Sequence, residues 1–280
     1  MNKVESVSPI VSIVIPTFNR SELLKKSIAG VLKQSFNNWE IIVVDSSLSS
    51  ETKDLIAEYT KHDNRFKYFF KPKTGMNGIS DFLNFGIRSS AGKYIARLDD
   101  DDVWCNSQKL EMQISFMERN NEYVLTGGGV IMIDSEGTEL YRFFKNETDE
   151  KIRNKALMAC PMEHTTVIFR KDAAMSAGCY SNYRVAEDWD FFLRLGKIGK
   201  LYNFQEYFTF YLQGEQNLSL QDQAEVAITE MKIIKEFRKD YPGFLIGMFI
   251  HFIQYLYSFM PEVIKSRFQF FLRYIKRNYI

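Results

Sequence analysis

Short apolar runs alternating with stretches of helical spacing constrain this chain more than any other feature. Val11–Ile15 is a β-branched run closed by Pro16, Glu40–Val44 is a second, and Phe66–Phe70 and Lys93–Leu98 read as a third and a fourth strand. Between them, Ser21–Gln34, Glu51–Lys61 and Ile79–Ser89 carry helical patterns, with Ser21 placed to cap the first. Strands without polar alternation need cover on both faces, so the spacing predicts a mostly parallel sheet flanked by helices. Ligands of such sheets sit beyond the carboxyl ends of the strands. Those ends are Pro16-Thr17-Phe18-Asn19, Asp45-Ser46-Ser47 and Asp99-Asp100-Asp101-Asp102.

After Asp102 the pattern changes. A helix is expected over Ser107–Arg119, then strands at Tyr123–Thr126 and Val130–Ile133, a turn at Asp134–Gly137 and a strand from Thr138. Thr165–Phe169 reads as a further strand, Glu187–Leu195 as a helix and Leu201–Tyr211 as an extended segment. With no repeat or low-complexity linker, one mixed α/β domain with a helical C-terminal extension is expected. At 280 residues and 45% hydrophobic, the chain can bury a sizeable core. A net charge of +1 argues against a nucleic-acid partner, which selects a far more basic chain. The three cysteines, Cys105, Cys160 and Cys179, show no C-x-x-C spacing, so neither a disulfide framework nor a structural zinc site is expected. MNKVESVSPI lacks the apolar run of a signal peptide, and a body facing the cytosol follows as the expectation.

Four consecutive aspartates after an apolar strand need an explanation. Two carboxylates about 5 Å apart repel by roughly 3 kcal/mol at an effective dielectric near 20. The run is either a solvated acidic loop or a site for a hard divalent ion, Mg2+ or Mn2+, that takes oxygen ligands and keeps positions for phosphate. Trp104, directly after the run, favours a held loop. A second acidic group, Glu187-Asp188-Trp189-Asp190, opens a helix. It either complements the helix dipole or supplies a general base aimed at a cleft. His164 precedes a strand and either makes a structural hydrogen bond or lines the site, with Trp189 a second candidate to line it.

VSIVIPTFNR (11–20), WEIIVVDSS (39–47), NGISDFLNFGIRSSAGKYIARLDDDDVW (77–104) and EDWDFFLRL (187–195) occur in an order that resembles glycosyltransferase family 2. The resemblance covers roughly residues 10–220. It implies a GT-A fold: a Rossmann-like mixed sheet flanked by helices, with a nucleotide-binding part at about 10–104 and an acceptor-binding part at about 105–220. Residues 221–280 form the C-terminal helical extension. The resemblance also implies an inverting, metal-dependent enzyme that moves a sugar from a nucleotide-diphosphate donor to an acceptor hydroxyl. Carried over by motif, Pro16, Thr17 and Asn19 cradle the nucleotide. Asp45 and Ser46 meet the base and ribose, and Asp100 lies near the ribose. Asp101, with Asp99, holds Mn2+ or Mg2+, and Asp188 is the base with Glu187 as its neighbour and alternative.

Some positions depart from the family pattern. Ser46 replaces a common Asp, which leaves dTDP, GDP and other donors open beside UDP, and Leu83 stands where Arg is frequent. Leu212 and Gly214, in Tyr211–Ser219, replace an Arg and a His that assist at the diphosphate or metal. Two other readings stay open: a metal-dependent nucleotidyltransferase or sugar-nucleotide hydrolase, and a non-catalytic carbohydrate-binding or scaffolding relative.

The tail has a different character. From Tyr241 to Ile280 there are five basic residues, one acidic residue and twelve aromatics. Phe244–Met260 carries no formal charge but falls short of the about 20 residues of a membrane span. Pro261 opens a segment with Val263, Ile264, Phe268, Phe271, Leu272 and Ile275 near helical spacing and basic residues between them. Such a helix reads as a membrane-surface anchor, with packing on the body or on a second subunit as alternatives. Together with the resemblance, this points to a glycan or lipid-linked glycan acceptor in cell-surface polysaccharide synthesis, on the cytoplasmic face of the membrane.

Overall fold

A computed structural model describes residues 8–73, 78–214, 222–261 and 265. The first half follows the alternation. Strands β1 (Val11–Thr17), β2 (Trp39–Asp45), β3 (Phe66–Phe70) and β4 (Tyr94–Arg97) pair in parallel in the order β3-β2-β1-β4, joined through helices α1 (Ser21–Leu32), α2 (Glu51–His62) and α3 (Ile79–Ser89). Every residue of β1 and β2 is buried, which is why their sequences show no polar alternation. The pleat still sorts them. Ile13, Ile15, Ile41 and Val43 pack on one face against Leu24 and Ile28 of α1, while Val14, on the other face, meets Leu83 and Ile87 of α3.

Beyond β4 the sheet becomes mixed. Its strands are β5 (Val103–Trp104), β6 (Tyr123–Ile133), β7 (Glu139–Phe143), β8 (Ile168–Arg170) and β9 (Lys200–Leu212). The order continues β4-β8-β6-β9-β5, with β7 on β6, so β8 lies antiparallel between the two halves. Helices α4 (Lys109–Arg119), α5 (Asp149–Lys155), α6 (Lys171–Ser176) and α7 (Glu187–Ile198) belong to this half.

Three local expectations are corrected. The two strands expected at 123–126 and 130–133 are one, because Gly127, Gly128 and Gly129 continue β6 rather than break it. A Cβ on these glycines would press on Asn203, Phe208 and Phe144 respectively, so they serve close packing. The strand expected at 165–169 starts as a 3-10 turn, His164–Thr166, and only Ile168–Arg170 pairs. Ser21 does not cap α1: Arg20 holds the cap position, and the Ser21 hydroxyl donates to Glu51.

The C-terminal extension enters the described residues as α8 (Gln223–Glu236) and α9 (Phe244–Ser258). Ile233, Ile234 and Phe237 close a third apolar cluster with Leu157, Trp189 and Leu193, and this cluster ties α8 to α7. The apolar spacing expected at 263–275 lies outside the described residues, as does Glu215–Ser219. Among the described residues no helix is long and apolar enough to cross a membrane.

Candidate active site

The carboxyl ends of β1, β2 and β4 meet where the strand order reverses, and side chains from the following loops stitch them together. The Thr17 hydroxyl donates to Asp100 (2.8 Å), and the Ser46 amide donates to the Thr17 carbonyl (3.1 Å). Asn19 adopts a left-handed φ of 53°, tolerable for its short polar side chain. There its amide donates to Ser47 Oγ (2.8 Å), and its Oδ1 accepts from the Leu48 amide (2.9 Å). Asp45 accepts from the Ser47 amide and from the Tyr68 hydroxyl, both at 2.8 Å. Pro16 sits within β1 opposite Val44. The structure therefore brings together Thr17, Asn19, Asp45, Ser46 and Asp100.

The four aspartates have four different environments. Burial disfavours ionised Asp99, but the Arg97 guanidinium at 2.5 Å outweighs it and holds the carboxyl below its ordinary value. Asp100 is raised, chiefly by burial, although Thr17 and Arg20 bind it. Asp101 is pushed up to about 6 by burial and then by its neighbours Asp99 and Asp100, with Arg20 Nη1 at 2.7 Å offsetting part of this. Asp102 is buried and held far above the carboxylate range by burial and the adjacent negative charges. It accepts from the Leu212 amide at 3.0 Å, so Leu212 serves through its backbone.

Asp99 and Asp101 keep part of their side-chain surface open to solvent, whereas Asp102 is closed off. Two open carboxylates that repel each other suit a hard divalent cation with further positions left for phosphate oxygens and water. Among the described residues no three acidic, His or Cys side chains gather as a complete metal cluster.

The second acidic group opens α7. Ala186, at φ 58°, turns the chain sharply, so that Glu187 and Asp188 stay partly exposed while Trp189 and Asp190 are buried. Burial, then the neighbouring Asp188, pushes Glu187 up to about 8. Asp188 is pushed up to about 6 by burial, softened by the Trp189 amide that donates to its Oδ1 at 2.8 Å. Its Oδ2 faces the Cys160 thiol at 3.8 Å. Arg97 and Asp99 lie within electrostatic reach of Glu187, so the aspartate loop and the start of α7 are near neighbours.

The two acceptor-side candidates part company. Trp189 is a core residue, 1% exposed, with its indole N–H donating to the Ala156 carbonyl (2.8 Å), and no face of it reaches the cleft. His164 is partly exposed and hydrogen-bonded to the Tyr180 hydroxyl at 2.8 Å; burial and the Arg97 charge push it down to about 3, so the imidazole is neutral. Arg20 and Arg97 were not singled out from the sequence. Arg97 had a readable signal: a charge inside the apolar run YIARL, two residues before Asp99 and hence on the same side of the strand. Lys145, paired with Glu163 at 3.1 Å within electrostatic reach of Asp188, had none.

Residues 12–183 match the family model described as Glycosyl transferase family 2. Among curated relatives, the amylovoran biosynthesis glycosyltransferase AmsE of Erwinia amylovora is 32% identical over 190 residues, covering 67% of this chain and 70% of its own length. WfgD of Escherichia coli, a UDP-Glc:alpha-D-GlcNAc-diphosphoundecaprenol beta-1,3-glucosyltransferase, is 38% identical over 112 residues, covering 40% of this chain and 42% of its own. An uncharacterised glycosyltransferase of Rickettsia bellii is 35% identical over 158 residues, 56% of this chain, and this chain spans only 22% of it. Among solved structures, TarS 1–349 of S. aureus superposes with a TM-score of 0.63 at 18% identity, over 89% of this chain and 72% of TarS. The mannosyltransferase PcManGT of Pyrobaculum calidifontis, in complex with GDP-Man and Mn2+, gives 0.62 at 13% identity, over 90% of this chain and 71% of its own. At these identities the likeness establishes the fold, which is GT-A as expected.

Proposed function

The chain belongs to glycosyl transferase family 2, and from that premise we propose that it moves a sugar, with inversion, from a nucleotide-diphosphate donor to an acceptor hydroxyl in the building of a cell-surface glycan. The observation that carries the mechanism is the meeting of two partly exposed acidic groups, Asp99/Asp101 and Glu187/Asp188, around the buried Arg97. In this reading Pro16, Thr17 and Asn19 cradle the nucleotide, Asp45 and Ser46 meet its base and ribose, and Asp100 lies by the ribose. Asp101 and Asp99 are the residues to hold Mn2+ or Mg2+, which when bound supplies positive charge at the diphosphate. Asp188 accepts the proton of the acceptor hydroxyl as that oxygen bonds to the anomeric carbon and the bond to the diphosphate oxygen breaks. Glu187, its pKa raised, stays protonated beside it and limits the repulsion between the pair.

Residues 10–104 then form the nucleotide-binding part, 105–220 the acceptor-binding part and 221–280 the extension. The likeness to WfgD and PcManGT supports a nucleotide sugar and a glycan or lipid-linked glycan as partners. Work on the cytoplasmic face of a membrane, held peripherally, suits such an acceptor and the uncharged α9.

The test is a thermal-shift series with UDP, GDP, dTDP and CMP, each with and without Mn2+, on the wild type and on Asp188→Asn. A ligand at 100 times its Kd adds about 2.7 kcal/mol of stability. Stabilisation by one nucleoside diphosphate, dependent on metal and retained in Asp188→Asn while turnover is lost, is the expected result. Near-normal turnover by that variant would refute the assignment of the base.

A further inference from the structure

Helix α9 presents an apolar face that stays exposed among the described residues. Leu245, Phe249, Phe252, Leu256 and Phe259 follow one another at spacings of four, three, four and three residues, so they form a single stripe. Leu245 is 78% exposed and Phe249 and Phe259 are each 66% exposed. Monomeric soluble proteins rarely expose contiguous apolar surface of this kind without a use for it.

The opposite face is fully engaged. Gly247 packs so closely on the Leu157 carbonyl that a methyl group there would overlap it. His251, 4% exposed, is held between Glu230 (2.9 Å) and the Met158 carbonyl (3.2 Å). The stripe is therefore not the face by which α9 joins the fold.

We propose that this stripe docks α9 in the plane of an anionic lipid surface. Three observations select that occupant. Phe244–Ser258 contains no Asp, Glu, Lys or Arg, so the face carries no charge to be stripped of water. Its 15 residues extend about 22 Å at 1.5 Å per residue, short of the about 30 Å hydrocarbon core, so the helix lies on a bilayer and does not cross it. The sequence that follows, 262–280, carries five basic residues against one acidic. That surplus is attracted to anionic headgroups, whereas pairing α9 with α9 of a second copy would bring two such tails together.

Helix α9 also lies close to the start of α7. The His251 ring lies 5.1 Å from the Trp189 ring, and Trp189 directly follows Asp188. Docking through α9 would hold the start of α7 one helix layer from the lipid surface, where the hydroxyl of a lipid-borne glycan is presented. This last step rests on the transferase reading; the docking itself does not.

The experiment is co-sedimentation of the full chain with vesicles of equal parts phosphatidylglycerol and phosphatidylcholine, beside vesicles of phosphatidylcholine alone. Binding to the anionic vesicles is expected, with the double variant Phe249→Glu/Leu256→Glu binding at least about tenfold more weakly at an unchanged melting temperature. Both residues are exposed, so the fold does not depend on them. No binding to anionic vesicles at low salt would overturn the proposal, as would binding that the variant leaves intact. A concentration-dependent dimer in sedimentation velocity, abolished by the variant, would assign the face to a second copy instead. Absence of vesicle binding by the wild type, with metal-dependent nucleotide stabilisation present, refutes the docking alone; the converse refutes the transferase reading alone.

Discussion

Arg20 Nη1 lies 2.7 Å from Asp101 Oδ2 and 3.2 Å from Asp100 Oδ1, so one guanidinium spans two adjacent carboxylates of the four-aspartate run. A fixed cation already sits where a divalent ion is proposed to bind, and it lowers the repulsion that would otherwise open the loop.

Replacing Arg20 by Ala removes that compensation. The metal-free protein should lose about 1 kcal/mol of stability, the usual scale for a partly exposed pair. Mn2+ should restore most of it, because the ion takes over the neutralising role. Melting temperatures in EDTA and in Mn2+ check this. An equal loss in both would mean that Arg20 and the ion do not share a task.

The two acidic residues at the start of α7 should behave unequally. Asp188, pushed up to about 6 by burial, must be ionised to accept a proton, so kcat/KM should fall as pH drops through about 6. Glu187, pushed up to about 8, is already protonated at neutral pH. Glu187→Gln should therefore keep turnover within about tenfold, while Asp188→Asn should lose roughly a hundredfold to ten-thousandfold. Equal losses in the two variants would reverse their roles.

The same Glu187 sets a pH dependence of folding. Its pKa in the fold, about 8, lies above the ordinary 4.5, so the folded state binds the extra proton and stability falls as pH rises between those values. His164, held down at about 3 by burial, works in the opposite sense, but only below its ordinary 6.5. Between pH 6.5 and 8 the melting temperature should therefore decline, and Glu187→Gln should lessen that decline, leaving the part that comes from the raised Asp102. Melting curves across this window decide it.

Asp102 offers a stability test separate from chemistry. Its Oδ1 accepts from the Leu212 amide, and its Oδ2 is buried without a hydrogen-bond partner among the described residues. Asn keeps the acceptor and needs no proton, so Asp102→Asn should fold as well as the wild type. Asp102→Leu leaves the Leu212 N–H unpaired in a buried place and should cost about 1–3 kcal/mol in urea unfolding.

The first half of the fold was readable because β1 and β2 are covered on both faces, and such strands write themselves as unbroken apolar runs. The second half was harder for a physical reason. Glycines 127–129 carry a chain-breaking signal yet here allow close packing on Asn203, Phe208 and Phe144, and β8 pairs through only three residues. Of the candidate site, the carboxylates stood out because charge after an apolar strand is costly. Their regulators did not. The charge of Arg97 within YIARL was visible but its pairing with Asp99 was not, and Tyr68 reaches Asp45 only after β2 and β3 pair. Trp189 shows the reverse error: adjacency to Asp188 suggested a role in the cleft, but the helix turn carries its ring inward to Ala156. For α9, the apolar composition was plain, but which face stays bare depends on how Gly247 and His251 seat against Met158, Leu157 and Glu230.

Strand β8 hydrogen-bonds to β4 on one edge and to β6 on the other, which makes a single ladder of the aspartate-bearing half and the half that carries Asp188. Swinging one half away from the other would break that ladder, so main-chain hydrogen bonds, and not side chains alone, hold the two halves together. In the proposed reading, the spacing between Asp99/Asp101 and Asp188 is thus set by that ladder at folding, before any sugar arrives.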